Sequence, residues 1–458
     1  MPATDVRTDF VNGRERPDDQ LGKARTLRWL LLLMQPGIGL KRWLLLAMAG
    51  VLLLAGGFAL VLSVPLSDVV LQAARTLTLS GKLPPVWRGV IVLAIGIAFV
   101  AIGAYNLHQR FLFGAMYRQV RPGTGALEGL STYRSRRRGP KIVAIGGGTG
   151  LSTLLRGLKE HTENITAIVT VADDGGSSGR LRKEFGIQPP GDARQCLIAL
   201  SDSEPLMEEL MSFRFETGQT LEGHSMGNLL LAALTQRYGN LHEALQAAAR
   251  LLAVKGRVVP STLATGLVLR AETVGGHLLE GESMIGESPD RIARIWLDPK
   301  AAPLNAAVAD SLREADAVVI GPGSLYTSVL PNMLVAGMRE ALNRSGAPKV
   351  FVCNVATQHG ETDGLDAGGH LREFERHSGV SVTHLLLNAR PIAIPVQFQQ
   401  QAILPEPPAG FAGEVLVRDV VSREMPSRHD PKLLAEAVLE IARGPRTRNG
   451  RPQAALRA

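Results

Sequence analysis

Residues Lys141–Leu158 read KIVAIGGGTGLSTLLRGL, and this stretch decides the fold of the chain. Its first part, Lys141–Ile145, is short, apolar and partly β-branched, which is typical of a buried strand. Four glycines then fall within Gly146–Gly150, and Leu151–Lys159 has the apolar spacing of a helix. Glycine lets a backbone approach an anion closely, and the first N–H groups of a helix face that anion. The stretch therefore predicts a strand, a phosphate-binding loop and a helix.

The glycine loop differs from the two best-known nucleotide motifs. It contains no Gly-Lys-Ser/Thr sequence, and Leu151 occupies the position of the third glycine of GxGxxG. Thr149 and Ser152 can add hydroxyl donors beside the backbone N–H groups. We expect the loop to bind a nucleotide-type phosphoanhydride, with a tight turn that binds no ligand as the alternative.

Strands and helices alternate along the rest of this region, which predicts an α/β fold with a Rossmann-like, doubly wound and mostly parallel sheet. The further predicted strands are Ile165–Val171, Ala317–Ile320, Lys349–Val355 and Val382–Leu387. The further predicted helices are Ala193–Ser201, Met226–Arg237, Met333–Asn343 and Lys432–Arg443. One interruption, Gly266–Glu272 and His277–Ser283 around Val274–Gly276, predicts a β-hairpin.

Two acids follow the second predicted strand, in the segment ADDGGSSGR that contains Asp173 and Asp174. In open α/β sheets, ligands bind at the carboxyl ends of the strands. A carboxylate there can bond a ribose, hold magnesium or accept a proton. A capped, solvated turn is the alternative.

Two helix starts also carry candidate residues. Asp192 is either the N-cap of its helix or, together with Arg194, a residue that orients a substrate. His224 and Asn228 lie one turn apart on one helix face, which suits contacts to a base or sugar, although a structural role is equally compatible.

Two more polar loops follow strands, Gly321–Ser328 and the segment from Asn354 through Thr357–Thr362. The carboxyl ends of parallel strands meet at one edge of a sheet. Four polar loops at one edge therefore predict a ligand cleft.

Composition limits the classes of partner and site. The formal net charge of +8 favours an anionic partner, which could be nucleic acid, a membrane surface or phosphates. Aromatic residues make up only 5%, which argues against base-stacking platforms, so no nucleic acid is expected. Cys196 and Cys353 are far apart and lack a CxxC partner, so we expect neither a disulfide framework nor a zinc site, and a cytoplasmic main domain.

Two runs without charged residues precede the α/β region, Trp43–Ser67 with 25 residues and Gly89–Gln109 with 21. A membrane-spanning helix needs about 20 mostly apolar residues. The runs therefore predict two transmembrane helices, with a pair of buried helices in a soluble core as the alternative.

Basic residues set the orientation of these helices, because they flank both runs and are fewer in the loop between them. We expect an inner-membrane protein with both ends in the cytoplasm. The predicted organisation is an arm over 1–42, two spans over 43–109, a basic linker over 110–139, a nucleotide-binding domain over 140–443 and a disordered tail over 444–458. Arg136–Arg138 either contacts anionic headgroups or forms part of a solvated linker.

The motifs of the α/β region resemble, in order, the signature segments of the YvcK family of gluconeogenesis factors, which is related to the CofD-type phospholactate transferases. The segments are GGGTG, ADDGGSSG, PGDARQ, HSMGN, GPGSLYTSVLPN and CNVATQHGETDG, and the resemblance covers Lys141–Arg443. It implies a doubly wound fold that binds UDP-activated sugars such as UDP-N-acetylglucosamine. It also implies a role in growth on gluconeogenic carbon, cell shape and cell-wall synthesis, without an established catalytic activity.

The resemblance also implies roles for individual residues. Gly147, Gly148, Thr149 and Gly150 would bind phosphates, and Arg428 would pair with a ligand phosphate. Asp173 and Asp174 match the acidic segment where the transferases have metal or acceptor contacts, and Asp174 would hold magnesium. The other residues expected to contact the nucleotide sugar are Asp192, His224, Asn228, Gly323, Ser324, Tyr326, Asn354 and Gln358.

Three functions are compatible with these residues. A regulatory protein that senses a UDP-sugar is favoured, acting through cell-wall synthesis or signalling proteins and contacting membrane lipid. A magnesium-dependent transferase of phospho-lactyl type is the alternative, with Asp173 and Asp174 as its catalytic residues. A nicotinamide dehydrogenase is the weakest, because the GxGxxG spacing fails. The sequence leaves open whether the chain forms a homo-oligomer.

Overall fold

The computed structural model describes residues 40–62, 84–120, 136–202, 205–390 and 393–444. The chain divides after Arg134 into two compact units, Met1–Arg134 and Ser135–Ala458. The N-terminal arm up to residue 39, the segment 63–83, the linker segment 121–135 and the tail from residue 445 lie outside the described residues. The predictions made for those segments therefore stay predictions.

The N-terminal unit contains two long helices, α1 over Leu40–Val61 and α2 over Pro85–Val120. Each includes a stretch long and apolar enough to cross a membrane, Arg42–Val61 and Gly89–Asn106. Only 17% and 22% of these stretches is buried, whereas a core helix of a soluble protein would be mostly buried. Helix α2 continues to Val120, so the first part of the predicted basic linker is helical, and the linker itself stays a prediction.

Helices α1 and α2 pack against each other through glycines spaced seven residues apart, which are Gly50 and Gly57 on α1 and Gly89, Gly96 and Gly103 on α2. A Cβ atom on Gly50 would lie 2.8 Å from the backbone nitrogen of Val100, and one on Gly96 would lie 3.0 Å from that of Leu54. Small residues at such positions allow apolar helices to approach backbone to backbone.

We expect Gly50→Leu to separate the two helices. The added side chain meets backbone atoms of α2, and overpacking of this kind costs about 1–3 kcal/mol. Even 1 kcal/mol changes the population of the packed state about fivefold. The measurement is the yield of the α1–α2 fragment that resists proteolysis in full-length chains in detergent micelles. Gly56→Leu is the control, because Gly56 has no neighbour within 4 Å; equal yields in the two variants would contradict the packing.

The second unit is built on a sheet of seven strands in which every neighbouring pair is parallel. Its order is β10-β9-β8-β7-β1-β2-β3, which confirms the doubly wound α/β prediction. The strands are β1 Ile142–Gly146, β2 Ile165–Val169, β3 Arg257–Pro260, β7 Ala317–Ile320, β8 Lys349–Val352, β9 His384–Asn388 and β10 Glu414–Arg418. The edge strands β3 and β10 had not been predicted.

A small antiparallel sheet holds the remaining three strands, in the order β5-β4-β6. Strands β4, Val268–Thr273, and β5, Leu278–Glu280, form the predicted hairpin. Strand β6, Ile292–Asp298, pairs with the other side of β4 and had not been predicted.

Helices connect the strands of the large sheet. They are α3 Gly148–Leu158, α4 Gly176–Phe185, α5 Gly191–Leu200, α6 Pro205–Ser212, α7 Met226–Tyr238, α8 Leu241–Leu251, α9 Glu282–Gly286, α10 Ala306–Glu314, α11 Leu330–Met333, α12 Met338–Arg344, α13 Ala367–Ser378 and α14 Pro431–Ala442, with a π-helix at Leu325–Val329 and a 3-10 helix at Val396–Phe398. The prediction of one helix over Met333–Asn343 is wrong. Gly337 has a φ of +97°, which is left-handed and ends a continuous helix between α11 and α12.

The large sheet is buried on both faces, as expected for parallel strands covered by helices. On β1, Ile142 and Ala144 belong to one apolar cluster, while Val143 and Ile145 belong to the cluster on the opposite face. All five residues of β1 are buried. The loops at the carboxyl ends of the strands therefore start from a rigid base.

Arg136, the first described residue of this unit, is anchored to the domain. It is 3% exposed, and its guanidinium lies 2.7 Å from Glu160. Its carbonyl also accepts hydrogen bonds from the N–H groups of Gly139 and Glu163. Arg136 is therefore unavailable to headgroups and is not part of a solvated linker, whereas Arg137 and Arg138 are exposed.

Candidate functional site

The sheet has its topological switch point between β1 and β7. From β1 the chain builds the sheet towards β3 on one side, and from β7 it builds towards β10 on the other. The loops after β1 and β7 therefore diverge, which opens a crevice where ligands bind in such sheets. A cavity of about 410 Å³ lies there. Of the predicted site residues, it is lined by Gly147, Gly148, Thr149, Gly150, Asp192, Gly323, Ser324, Asn354, Gln358 and Arg428.

The glycine loop can pack closely against the loop after β7 only because its glycines have no side chains. A Cβ atom on Gly150 would lie 2.5 Å from the carbonyl oxygen of Pro322, and Gly148 has a left-handed φ of +57°. The N-cap residue of α3, Gly147, has no side chain to cap the helix, so the N–H groups of the first turn lie at the cavity, apart from that of Gly148, which Asp192 binds. Ser152 cannot help to bind a ligand as predicted, because its buried hydroxyl donates to the Gly148 carbonyl at 2.8 Å.

Asp192 approaches the same helix start. Its carboxylate accepts a hydrogen bond from the Gly148 N–H. Burial, and then the charge of Asp173, raise the pKa of Asp192 to about 7. The alternative that Asp192 is an N-cap is wrong, because α5 begins one residue earlier and is preceded by Pro190. A carboxylate thus occupies part of the space that an anionic ligand would approach.

Glu282, at the start of α9, also lines the cavity, although the sequence had not pointed to it. It shares a hydrogen bond with Asp173. Burial, followed by the charges of Asp173 and Asp192, raises the pKa of Glu282 to about 10. The residue ends a β-hairpin segment without a recognisable motif, so only the folded arrangement brings it to the glycine loop.

The two predicted acids of the second loop do not themselves line the cavity. Asp173 accepts a hydrogen bond from the Gly175 N–H at 2.8 Å and reaches the cavity only through Glu282. Asp174 accepts from the backbone N–H and the hydroxyl of Ser283, both at 3.0 Å. Asp174 therefore connects this loop to α9.

The acids do not form a ready metal site. Within the described ranges, no group of three or more His, Cys, Asp or Glu side chains is arranged to hold a metal ion. The carboxylates that line the cavity are those of Asp192 and Glu282, and Asp174 is engaged by Ser283. A magnesium ion would thus need most of its ligands from a bound phosphate and water.

Asn354 and Gln358 line the cavity but hold the loop after β7. The Asn354 amide donates to the Gly323 carbonyl at 2.9 Å, and its oxygen accepts from the Gly323 N–H at 3.2 Å. The Ser324 hydroxyl donates to the Gln358 oxygen at 2.6 Å. These side chains therefore fix Gly323 and Ser324 opposite the glycine loop.

His224 and Asn228 lie away from the cavity, in a buried network that joins α4, α5 and α7. The Ser177 hydroxyl is 3.0 Å from His224 Nδ1 and accepts from the Asn228 amide, also at 3.0 Å. The Asn228 oxygen accepts from Arg194 Nε at 2.9 Å. Burial, and then Arg180, lower the pKa of His224. The network therefore holds together the helices α4, α5 and α7, the first of which follows the loop that carries Asp173 and Asp174.

Tyr326 also points away from the cavity. It is 3% exposed, and its hydroxyl donates to Glu373 at 2.8 Å. The next residue, Thr327, donates to the buried carboxylate of Glu361 at 2.6 Å. Burial raises the pKa of Glu361 to about 7. These contacts hold the loop after β7 on its side away from the cavity.

Arg428 also lines the cavity, together with Ser427 and His429. It is exposed, and no ion pair to its guanidinium is found in the described part of the chain. A backbone bridge between Val421 and His429, with Asp430 capping α14, fixes this segment. The cavity thus has helix N–H groups on one wall and a guanidinium on another, both suited to phosphate oxygens.

The chain is similar to several known proteins. The family model described as "2-phospho-L-lactate transferase CofD" matches residues 142–407. A relative from Nostoc sp. with the gluconeogenesis-factor designation is 39% identical over 450 residues, which is 94% of this chain and 96% of the relative. The gluconeogenesis factor of Halalkalibacterium halodurans is 46% identical over 309 residues, covering 65% of this chain and 95% of that protein.

Solved structures show the same fold. A crystal structure of a Bacillus halodurans protein superposes with a TM-score of 0.64 at 44% sequence identity. The match covers 66% of this chain and 100% of that one. The similarity to that shorter protein therefore spans about two thirds of the chain.

Proposed function

Since the chain belongs to the YvcK-like, CofD-related family of gluconeogenesis factors, we propose that it is a regulatory protein that binds a UDP-activated sugar. The observation that carries this proposal is the cavity between the loops after β1 and β7. Helix N–H groups and Arg428 provide two phosphate-binding walls. The volume of about 410 Å³ lies in the range of small-molecule sites.

The proposed role of the bound protein is to support growth on gluconeogenic carbon, with effects on cell shape and cell-wall synthesis. The names of the relatives support the first part. Binding without turnover would require a partner protein that responds to the ligand-bound state, for which cell-wall synthesis or signalling proteins are our candidates.

Isothermal titration with UDP-N-acetylglucosamine tests the binding proposal. We expect saturable heat with the wild-type chain and an affinity at least about tenfold lower for Arg428→Ala, because a charge-assisted hydrogen bond contributes about 1.5–3 kcal/mol. Arg423→Ala is the matched control, since Arg423 is exposed and does not line the cavity. Absence of heat with every UDP-sugar tested would refute the proposal.

We further propose that α1 and α2 tether the domain to the inner membrane, with the domain in the cytoplasm. Their length and exposed apolar surface support this. The Nostoc relative matches along 94% of this chain, whereas the Halalkalibacterium match covers 65% of it. The two-helix region is thus present in some relatives and dispensable for the fold of others.

Deletion of residues 1–134, which leaves the anchored Arg136 in the domain, tests the tether. We expect the remaining chain to stay in the supernatant after ultracentrifugation of a lysate and to bind UDP-N-acetylglucosamine with unchanged affinity, because the cavity lies wholly within residues 147–429. A truncated chain that still pelleted with membranes would contradict the tether.

A phospho-lactyl-type transferase is the second candidate, favoured by the family model and by the acids at the glycine loop. Glu282, whose pKa is raised to about 10 by burial and then by the charge of Asp173, is hydrogen-bonded to Asp173 beside the loop, and as a carboxylic acid it could donate a proton to the leaving group. In this reaction the hydroxyl would attack phosphorus and release the nucleotide. Turnover of a nucleotide-linked phosphodiester that is lost in Glu282→Gln would favour this candidate over pure binding.

A further inference from the structure

A second cavity, of about 400 Å³, lies at the edge of the large sheet where β1, β2 and β3 begin, and we call it the basal cavity. Its walls include Ile142 and Ile165, the first residues of β1 and β2, and Arg257, the first residue of β3. The cavity proposed to bind the nucleotide sugar lies at the carboxyl ends of the strands, and the two cavities share no lining residue. The basal cavity is therefore a separate feature of the domain.

The basal cavity has an excess of positive charge. Its charged lining residues are Arg137, Lys141, Lys255, Arg257, Glu163 and Glu314. Four of these are cations and two are acids, which leaves a formal charge of +2 on the lining. A concave surface with an excess of one sign of charge concentrates the electrostatic potential and attracts ions of the other sign. The basal cavity is therefore suited to an anionic ligand.

Arg257 provides a charge that the acids of the cavity do not offset. Its side chain is exposed, so a ligand in the cavity can reach it. Nη2 donates to the hydroxyls of Thr166 at 3.3 Å and Ser311 at 3.4 Å, and both of these residues are buried. These neutral hydroxyls orient the guanidinium without neutralising it. Within the ranges that the structure describes, Arg257 has no ion pair, and its Nε and Nη1 have no hydrogen-bond partner, so both can bind an anion.

Lys141 can contact the same ligand. Its Nζ lies 2.9 Å from Glu314, but the two side chains are 54% and 61% exposed. An exposed ion pair contributes little, because water screens it and two long side chains must be held in place. Lys141 can therefore bind an anion in exchange for Glu314. Lys255, by contrast, is only 11% exposed and is paired with Asp202, so it remains part of the wall.

Gly256 fixes the position of Arg257 at the start of β3. It has a left-handed φ of +103°, and a Cβ atom there would lie 2.6 Å from the carbonyl oxygen of Ile165. Only glycine combines this backbone conformation with such a close approach. The turn therefore packs against the start of β2, which places Arg257 next to Thr166 before any ligand binds. A preformed site loses less conformational freedom on binding.

We propose that the basal cavity is a second anion site, in which Arg257 and Lys141 bind a phosphate group. A guanidinium presents its N–H groups in a plane that matches two phosphate oxygens, and an ammonium adds a point charge. Two sources carry this group, a free phosphate and the headgroup of an anionic lipid. The lipid is a source because Arg137, in the wall of the cavity, is three residues beyond Arg134, where the unit with the two apolar helices ends. The inference is independent of the function proposed for the other cavity.

Protection from phenylglyoxal, a reagent that modifies exposed arginines, tests the site in the full-length chain in detergent micelles. Inorganic phosphate at about ten times its dissociation constant leaves about a tenth of the sites empty, so we expect Arg257 to be modified about tenfold more slowly. Arg250 is the control in the same digest, because it is exposed and does not line the cavity. Mass spectrometry gives the modified fraction of each arginine, and chloride at equal ionic strength controls for screening.

The same measurement in lipid vesicles without phosphate distinguishes the two sources. Protection of Arg257 by phosphate in micelles assigns a free phosphate. Protection in phosphatidylglycerol vesicles, but neither in phosphatidylcholine vesicles nor by phosphate in micelles, assigns a lipid headgroup. A rate for Arg257 that stays in constant proportion to that of Arg250 under all of these conditions would overturn the inference.

Neutralisation of Lys141 provides a second readout. We expect Lys141→Gln to raise the phosphate concentration, or the phosphatidylglycerol fraction, that half-protects Arg257 by about threefold, as the loss of one exposed charge implies. Lys183→Gln is the matched control, since Lys183 is exposed on α4 and does not line the cavity. An unchanged half-protection value in Lys141→Gln, at a wild-type melting temperature, would show that the charge of the cavity does not hold the anion and would overturn the inference.

Discussion

Replacement of Gly150 by alanine should lower ligand affinity about a hundredfold, although the position would otherwise favour alanine. Gly150 lies in the first turn of α3, and alanine is a better helix former than glycine by about 1 kcal/mol. The added Cβ would, however, lie 2.5 Å from the Pro322 carbonyl oxygen and 2.8 Å from the Gly323 Cα atom. Both are backbone atoms, so no rotamer change relieves the contact, and the two loops must move apart.

The hundredfold value follows from geometry. A hundredfold loss of affinity corresponds to about 2.8 kcal/mol, which lies within the cost of forcing a Cβ atom between two backbone segments. Overpacking itself costs about 1–3 kcal/mol, so a folded protein with a lower melting temperature is expected. Gly346→Ala is the matched control, since Gly346 has no neighbour within 4 Å and its φ is not in the left-handed region. Wild-type affinity of Gly150→Ala, measured by calorimetry, would show that the loops do not form one site.

The second large effect concerns pH. We expect affinity for UDP-N-acetylglucosamine to fall as pH rises above 7, by up to about tenfold per pH unit. The pKa of Asp192 is raised to about 7, so the carboxyl is neutral below this pH and charged above it. The charged form lies at the helix start where the ligand phosphates approach, so ionisation opposes binding. Linkage of one proton limits the slope to one logarithmic unit.

The titratable groups around Asp192 support the predicted fall in affinity with rising pH. Glu282, with a pKa raised to about 10, stays protonated through the relevant range, whereas Asp173 and Arg194 contribute opposite charges. The Cys196 thiol is buried and its pKa is raised well above its usual value, so it stays neutral as well. We expect Asp192→Asn to flatten the pH profile, with Asp310→Asn, an exposed acid on α10, as the control. A wild-type affinity that is constant or rises between pH 6 and pH 9 would contradict the assignment.

The sequence predicted the centre of this fold because the residues that indicate the strand, the loop and the helix there follow one another along the chain. The β1 strand, its glycines and α3 are adjacent in sequence, and their periodicities differ clearly. The edge strand β10 has only one buried residue among five, so it lacks the apolar run that identifies the central strands. Strand β3 follows Gly256 and has only four residues. Strands that are very short or half-exposed depend on pairing with a neighbour, which a pattern along the chain does not reveal.

The candidate site was likewise predicted in part: its loops were identified from the sequence, and the directions of its side chains were not. The motifs identified which loops meet at the switch point, because parallel topology fixes where strand ends lie. They could not give the direction of each side chain. Tyr326 turns to Glu373, and Asn354 closes a loop, because packing partners far along the chain satisfy their polar atoms. Glu282 and His429 were missed for the same reason, since only tertiary contacts bring them to the cavity.

The burial of Arg136 has a mechanical consequence. The guanidinium is fixed to Glu160, two residues beyond the end of α3, and the opposite end of α3 carries the glycine loop. An α-helix of eleven residues is about 16 Å long and resists bending. The first described residue of the domain is thus fixed next to one end of a helix whose other end faces the ligand cavity. Loss of the Glu160 carboxylate would leave a buried guanidinium without that partner and would disturb the helix that carries the glycine loop.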